Sequence, residues 1–179
     1  MTAHPFTLAV PVGPTDHTEG PDHANVTLVE YGDFECPACG QAFHAVEMLR
    51  RHFAGRLRFV FRNYPLREVH PHAELAAEAA EAAGGQGKFW PMYALLFDNQ
   101  LHLKPNNLRH YAEKIELDLS RYDFEMEDHV YLQRVQEDIQ SGKGSGVRGT
   151  PAFFVNGKLH DASFGFEHLQ AAIEAALKT

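Results

Sequence analysis

VTLVEYGDFECPACGQAFHAVEMLRRHF, residues 26–53, is where the chain shows its architecture. Residues 26–31 (VTLVEY) are β-branched and apolar, with the turn formers Gly32 and Asp33 behind them, which predicts a buried strand. Beyond it Cys39, Phe43, Val46, Leu49 and Phe53 recur at spacings of four and three, so they share one face of a helix that runs to about Gly55. Pro37 suits the first turn of that helix, where a missing N–H costs nothing. Residues 57–61 (LRFVF) predict a second strand. A right-handed strand–helix–strand crossover then sets the two strands parallel.

From residue 66 to about 146 the periodicity is helical only. An Ala-rich helix is predicted near 71–83, an aromatic one near 90–99, another at 107–116 and a long one over 120–140, with Ser120 and Asp123 as its capping box. No strand candidate interrupts this block, so it reads as an inserted helical subdomain. After Gly142, Gly144, Gly146 and Gly149, residues 152–155 and 158–160 predict two strands. Asn156-Gly157 joins them in a tight hairpin, because that dipeptide tolerates the positive φ angles of a primed turn. Phe166, Leu169, Ile173 and Leu177 give a closing helix. The fold class is α/β, one sheet interrupted once by helices.

The chain has 179 residues, 44% of them hydrophobic and 22% charged, enough for a core in a single domain carrying a subdomain. Sixteen Lys and Arg against 24 Asp and Glu give a formal charge of −8, and no basic run could track a phosphate backbone, so nucleic acid is not expected as a partner. The first twenty residues lack a basic start and a sustained apolar run, and no membrane-length apolar stretch follows. The expectation is a soluble cytoplasmic protein without membrane insertion.

Cys36 and Cys39 are the two cysteines. In a reducing compartment such a pair is redox-active or metal-binding rather than structural. At a helix start, Cys36 faces unpaired backbone N–H groups and the positive end of the dipole, which favours the thiolate. Cys36 is therefore the expected nucleophile. Cys39, inside the helix, is placed to resolve a mixed disulfide. Pro37 and Ala38 put no charge between the sulfurs. Glu35 opposes the dipole by an amount on the order of 1 kcal/mol, which predicts a thiol of moderate acidity. A zinc site would need two of the histidines, and His70 and His72 are the best placed, but no second paired motif supports it and the expectation is no metal. Before an Ala-rich helix such a pair reads as a solvated cap.

A strand, FECPACG (34–40) at a helix start and, much later, GTPAFFVNG (149–157) together resemble the thioredoxin superfamily, and specifically its DsbA-like branch with a helical insertion. The likeness spans nearly the whole chain. It implies a thioredoxin fold split as 1–64, an inserted all-helical subdomain 65–146, and 147–179 returning with the hairpin and last helix. It implies that Thr150-Pro151 is the family's cis-proline loop, which pairs with a bound peptide in strand fashion. Glu30, six residues before Cys36, matches the family's buried acid. A buried carboxyl holds its proton more tightly and suits proton uptake from Cys39. Two features depart from the branch's exported oxidants: they often carry a His between the cysteines where this chain has Pro37-Ala38, and no export signal is visible here.

The expected activity is thiol–disulfide exchange with protein or small-molecule thiols and disulfides. The cysteine pair carries the electrons, no dissociable cofactor is needed, and a thioredoxin-like or glutathione partner recycles the pair. Two alternatives are a metal- or peptide-binding module on the same fold and a glutathione-dependent enzyme of the kappa-type branch. The latter typically has Ser where this chain has Cys36.

Overall fold

A computed structural model describes residues 6–179. Met1 and the next four residues, part of the stretch read for an export signal, lie outside the described residues. Five strands, β1 (His17–Glu19), β2 (Val26–Gly32), β3 (Leu57–Asn63), β4 (Ala152–Val155) and β5 (Lys158–His160), form one sheet in the order β1-β3-β2-β4-β5. The helices are α1 (Pro37–His52), α2 (Ala73–Gly85), α3 (Phe89–Asp98), α4 (Pro105–Lys114), α5 (Leu119–Glu127), α6 (Leu132–Gly144) and α7 (Phe166–Ala176). This is the α/β sheet with a helical insertion that the strand and helix periods imply.

The chain folds into two compact units. The first comprises residues up to Gly32, Gln41–Arg62 and Gln140–Thr179; the second comprises Asp33–Gly40 and Asn63–Ile139. In the first unit β4 runs antiparallel to β2 and β5, with Glu30 opposite Phe153 and Val155 opposite Lys158. The hairpin turn has φ of 47° at Asn156 and 79° at Gly157, the primed geometry that an Asn-Gly pair supplies without strain. β2 reads as near-continuous apolar sequence because both its faces are covered: Val26, Leu28, Val29 and Tyr31 are fully buried. β1 has no counterpart among the expected strands. It is three residues long at the sheet edge, antiparallel to β3 with Thr18 opposite Val60, too short to show a period.

The second unit is helical. Ala73, Ala76, Ala77, Ala79, Ala80, Ala82 and Ala83 are buried around almost the whole circumference of α2, because α3, α4 and α5 all pack on it. Small side chains let three neighbours approach one helix. The single helix expected over 120–140 is corrected to two. His129, at φ 51°, takes a left-handed C-terminal position. The Val130 N–H then bonds Glu125 O at 2.9 Å and the His129 N–H bonds Met126 O at 3.3 Å, a Schellman closure of α5. The N-cap is Asp118, whose side chain accepts from the Arg121 N–H at 3.0 Å, not Ser120. Phe124, inside the single helix expected there, is 60% exposed.

Candidate active site

Helix α1 begins at Pro37, so Cys36 is the residue that leads into it. The Cys36 carbonyl accepts the first helical bond, from the Gly40 N–H at 3.1 Å, and its own N–H closes a turn onto Asp33 O at 3.2 Å. Cys36 is 6% exposed and Cys39 fully buried, and both are thiols. Pro37 and Ala38, between them, face solvent. Cys39 Sγ lies 3.4 Å from the Asp33 backbone nitrogen, whose N–H donates to it and favours negative charge on that sulfur.

Asp33 organises the turn. Its carboxylate is buried and accepts from the Glu35 N–H at 2.8 Å on Oδ1 and the Leu66 N–H at 2.8 Å on Oδ2, where His70 Nδ1 also lies at 2.8 Å. A second pair sits alongside: Glu35 Oε1 lies 2.8 Å from His72 Nδ1, and Oε2 accepts the His72 backbone N–H at 2.7 Å. His72 stands at the N-cap position of α2 but makes no side-chain cap bond. The two histidines thus hold the acids before Cys36 rather than serving as a solvated helix cap. Burial disfavours the His70 imidazolium, but the hydrogen bond and charge of Asp33, with the nearby Cys36 and Glu35, outweigh it and raise the His70 pKa above its ordinary value.

Gln100, just past α3, fastens the same turn by donating from Nε2 to Phe34 O and to Cys36 O, each at 2.8 Å. A Cβ at residue 40 would lie 2.1 Å from Gln100 Oε1, so a larger residue there would displace the Gln100 amide from these two carbonyls. Phe34 anchors the turn below, its ring 4.9 Å from that of Phe97 and 6.1 Å from that of Tyr93.

The remaining expected site residues belong to the first unit. Glu30 is fully buried in β2, and a Cβ at Gly32 would meet the Phe61 ring at 2.4 Å and Glu30 Oε1 at 3.2 Å. A side chain at residue 32 would therefore crowd both the Phe61 ring and the Glu30 carboxyl. The Thr150–Pro151 peptide bond is cis and leads directly into β4, where Ala152 pairs with Tyr31. A cleft lined by Phe6, Arg148, Pro151, Leu159, His160 and Ala162 opens there. The sequence pointed to neither Asp33 nor Gln100 as a site residue, and to His70 only as a possible zinc ligand or a cap. Asp33 read as a turn former, the His-Pro-His run as a cap, and Gln100 carries no local signal.

A cysteine pair opening a helix, a five-stranded sheet and a cis-proline before the closing hairpin together define a thioredoxin-fold protein. The chain belongs to the thioredoxin family: that family's model, described as "Thioredoxin", matches residues 13–175. Within it the fold is the DsbA-like one. BdbD of Bacillus subtilis in its oxidised form aligns with a TM-score of 0.83 at 24% identity, over 90% of this chain and 92% of that one. A thioredoxin-like oxidoreductase from Silicibacter pomeroyi DSS-3 aligns at 0.82 and 26% identity, over 93% and 95%. A periplasmic thioredoxin-like protein from Salmonella enterica serovar Typhimurium aligns at 0.75 and 19%, over 93% and 92%. In sequence the chain is 51% identical over 170 residues to the Na(+)/H(+) antiporter NhaA 1 of Salinispora arenicola (strain CNS-205), covering 94% of this chain and 26% of the antiporter. The chain spans about a quarter of the length of the curated relatives it matches.

These findings correct the cytoplasmic expectation. It rested on the missing export signal at the first residues, and in the antiporter relatives the matching region is one part of a longer polypeptide, so its own first residues do not report its compartment. The Salmonella neighbour is periplasmic by description. No helix among the described residues is long and apolar enough to cross a membrane.

Proposed function

We propose that the chain is a thiol–disulfide oxidoreductase that exchanges disulfides with protein or small-molecule thiols through Cys36 and Cys39. The observation that carries this reading is the pair of thiols, three residues apart, at the start of α1 in a DsbA-like fold. When the pair is reduced, the Cys36 thiolate attacks a partner disulfide. One S–S bond forms to Cys36, the partner's own S–S bond breaks, and one partner sulfur leaves as thiolate. Cys39 then attacks the Cys36 sulfur, closing Cys36–Cys39 and releasing the second partner thiol, so two electrons have passed to the partner. The reverse sequence oxidises a partner dithiol. Helix-start N–H groups stabilise the Cys36 thiolate, and Glu30 takes the proton that Cys39 gives up. Thr150 and Pro151 hold the partner chain. The pair itself is the redox group, with no dissociable cofactor, and a second thiol system recycles it. The periplasmic neighbour supports a site of action outside the cytosol.

The reading is tested by equilibrating the protein in graded thiol buffers and trapping its thiols for mass spectrometry. One two-electron transition is expected, lost in Cys36→Ser. A chain that forms no intramolecular disulfide in any buffer would overturn the reading. A midpoint near about −270 mV marks a reductant and one near about −120 to −180 mV an oxidant or isomerase. Glu30→Gln is expected to lengthen the life of a trapped mixed disulfide, and an unchanged lifetime removes Glu30 from the mechanism.

A further inference from the structure

Asp33 commits its polar groups to the thiol turn and to one histidine. Its N–H meets Cys39 Sγ, its carbonyl holds the Cys36 N–H, and its buried carboxylate holds the Glu35 and Leu66 N–H groups and His70 Nδ1. An ionised carboxylate only accepts, so the proton between Asp33 and His70 sits on Nδ1 and the imidazole titrates at Nε2. One residue therefore fixes the ring and the sulfur-bearing turn together. Glu35, the charge immediately before Cys36, is spanned at both oxygens by His72.

We propose that His70, held by Asp33, is a positioning residue for the thiol chemistry, its imidazolium supplying the positive charge that favours the Cys36 thiolate. This rests on the oxidoreductase reading and adds to it a charge source from outside the Cys-Pro-Ala-Cys segment. Asp33 is hydrogen-bonded to His70, and the charges of Cys36 and Glu35 also favour its protonated form; on its own segment, His72 is tied to Glu35, and Arg67 pairs with Glu74. Those anions outweigh the burial penalty and raise the His70 pKa, which extends its charged form toward neutral pH.

Coupling between two titrating groups is reciprocal. In the unsubstituted chain, a ring-resolved NMR titration should show His70 losing its proton at higher pH when Cys36 is free to ionise to the thiolate than when Cys36 carries a neutral carboxamidomethyl cap. Equal midpoints in the two forms overturn the proposal. In His70→Gln, thiolate absorbance should develop at higher pH and iodoacetamide should modify Cys36 about tenfold more slowly below neutral pH. His70→Lys should recover part of that rate, and equal rates in all three proteins also overturn it. The capped comparison needs no disulfide. If no Cys36–Cys39 disulfide forms, the oxidoreductase reading fails, while the NMR midpoints still decide the His70–Cys36 coupling.

Discussion

Two arginine–aspartate pairs, one in each unit, have nearly the same geometry and opposite surroundings. In the first unit Arg62 Nε and Nη2 meet Asp16 at 2.8 and 2.9 Å, and in the second Arg109 Nε and Nη2 meet Asp123 at 2.8 and 3.0 Å. The side chains are 2% and 4% exposed in the first pair and 49% and 45% in the second. Arg62 also donates to Val10 O, Pro11 O and the Tyr31 hydroxyl, so each face of its guanidinium that burial strips of water finds an oxygen. Bond lengths do not rank these pairs; burial does, because removing one partner leaves the other stranded only where water cannot reach it. Arg62→Met should thus cost about 3–5 kcal/mol of unfolding free energy in urea titrations, by leaving the buried Asp16 carboxylate without its guanidinium partner. A loss below about 1 kcal/mol would show that Asp16 is rescued by neutralisation or by water.

The same difference between local and long-range bonding separates what the sequence made legible from what it hid. The hairpin at Asn156-Gly157, the α1 face of Cys39, Phe43, Val46 and Leu49, continued by Phe53 just past the helix end, and the thiol pair at the start of α1 are local patterns, and each lies where its period places it. Arg62 pairs with a residue 46 positions away and His70 with one 37 away, separations at which no spacing rule operates. The break between α5 and α6 was hidden for another reason. The left-handed turn is taken by a histidine, His129, whose ring meets Glu78 at 2.9 Å, and not by the glycine that marks such turns in sequence.

Arg134 and Asp138 form the intermediate case, 2.6 Å apart, with side chains 21% and 3% exposed. Here the pairing does not offset burial. Desolvation lifts the Asp138 pKa to about 6, against the Arg134 charge and the Asn63 N–H that pull it down, with the Glu81 charge adding to the rise. A carboxyl whose folded pKa exceeds its unfolded one binds more protons in the native state. Its contribution is fully present below about pH 4 and is lost as pH rises through about 6, a change on the order of 3 kcal/mol. Asp138→Asn should flatten this slope between about pH 4 and 6 in urea titrations, whereas a wild-type slope retained by the variant would assign the response to another group.

The exposed pair sets the lower end of the series. Arg109 and Asp123 form a two-point fork, the arrangement that ranks strongest when bonds alone are counted. Yet both groups are open to water when apart, so little desolvation separates the broken pair from the formed one, and mobile ions screen what attraction remains. Arg109→Ala is therefore expected to move the urea midpoint only slightly at low ionic strength and not at all in high salt, where the wild type should have lost the same increment. Double substitution with Asp123→Ala should be additive in high salt. A salt-independent loss, or a coupling that survives screening, would mean that the fork orders the α4–α5 packing through the methylene stem of Arg109, and burial of the charged atoms would no longer suffice to rank the three pairs.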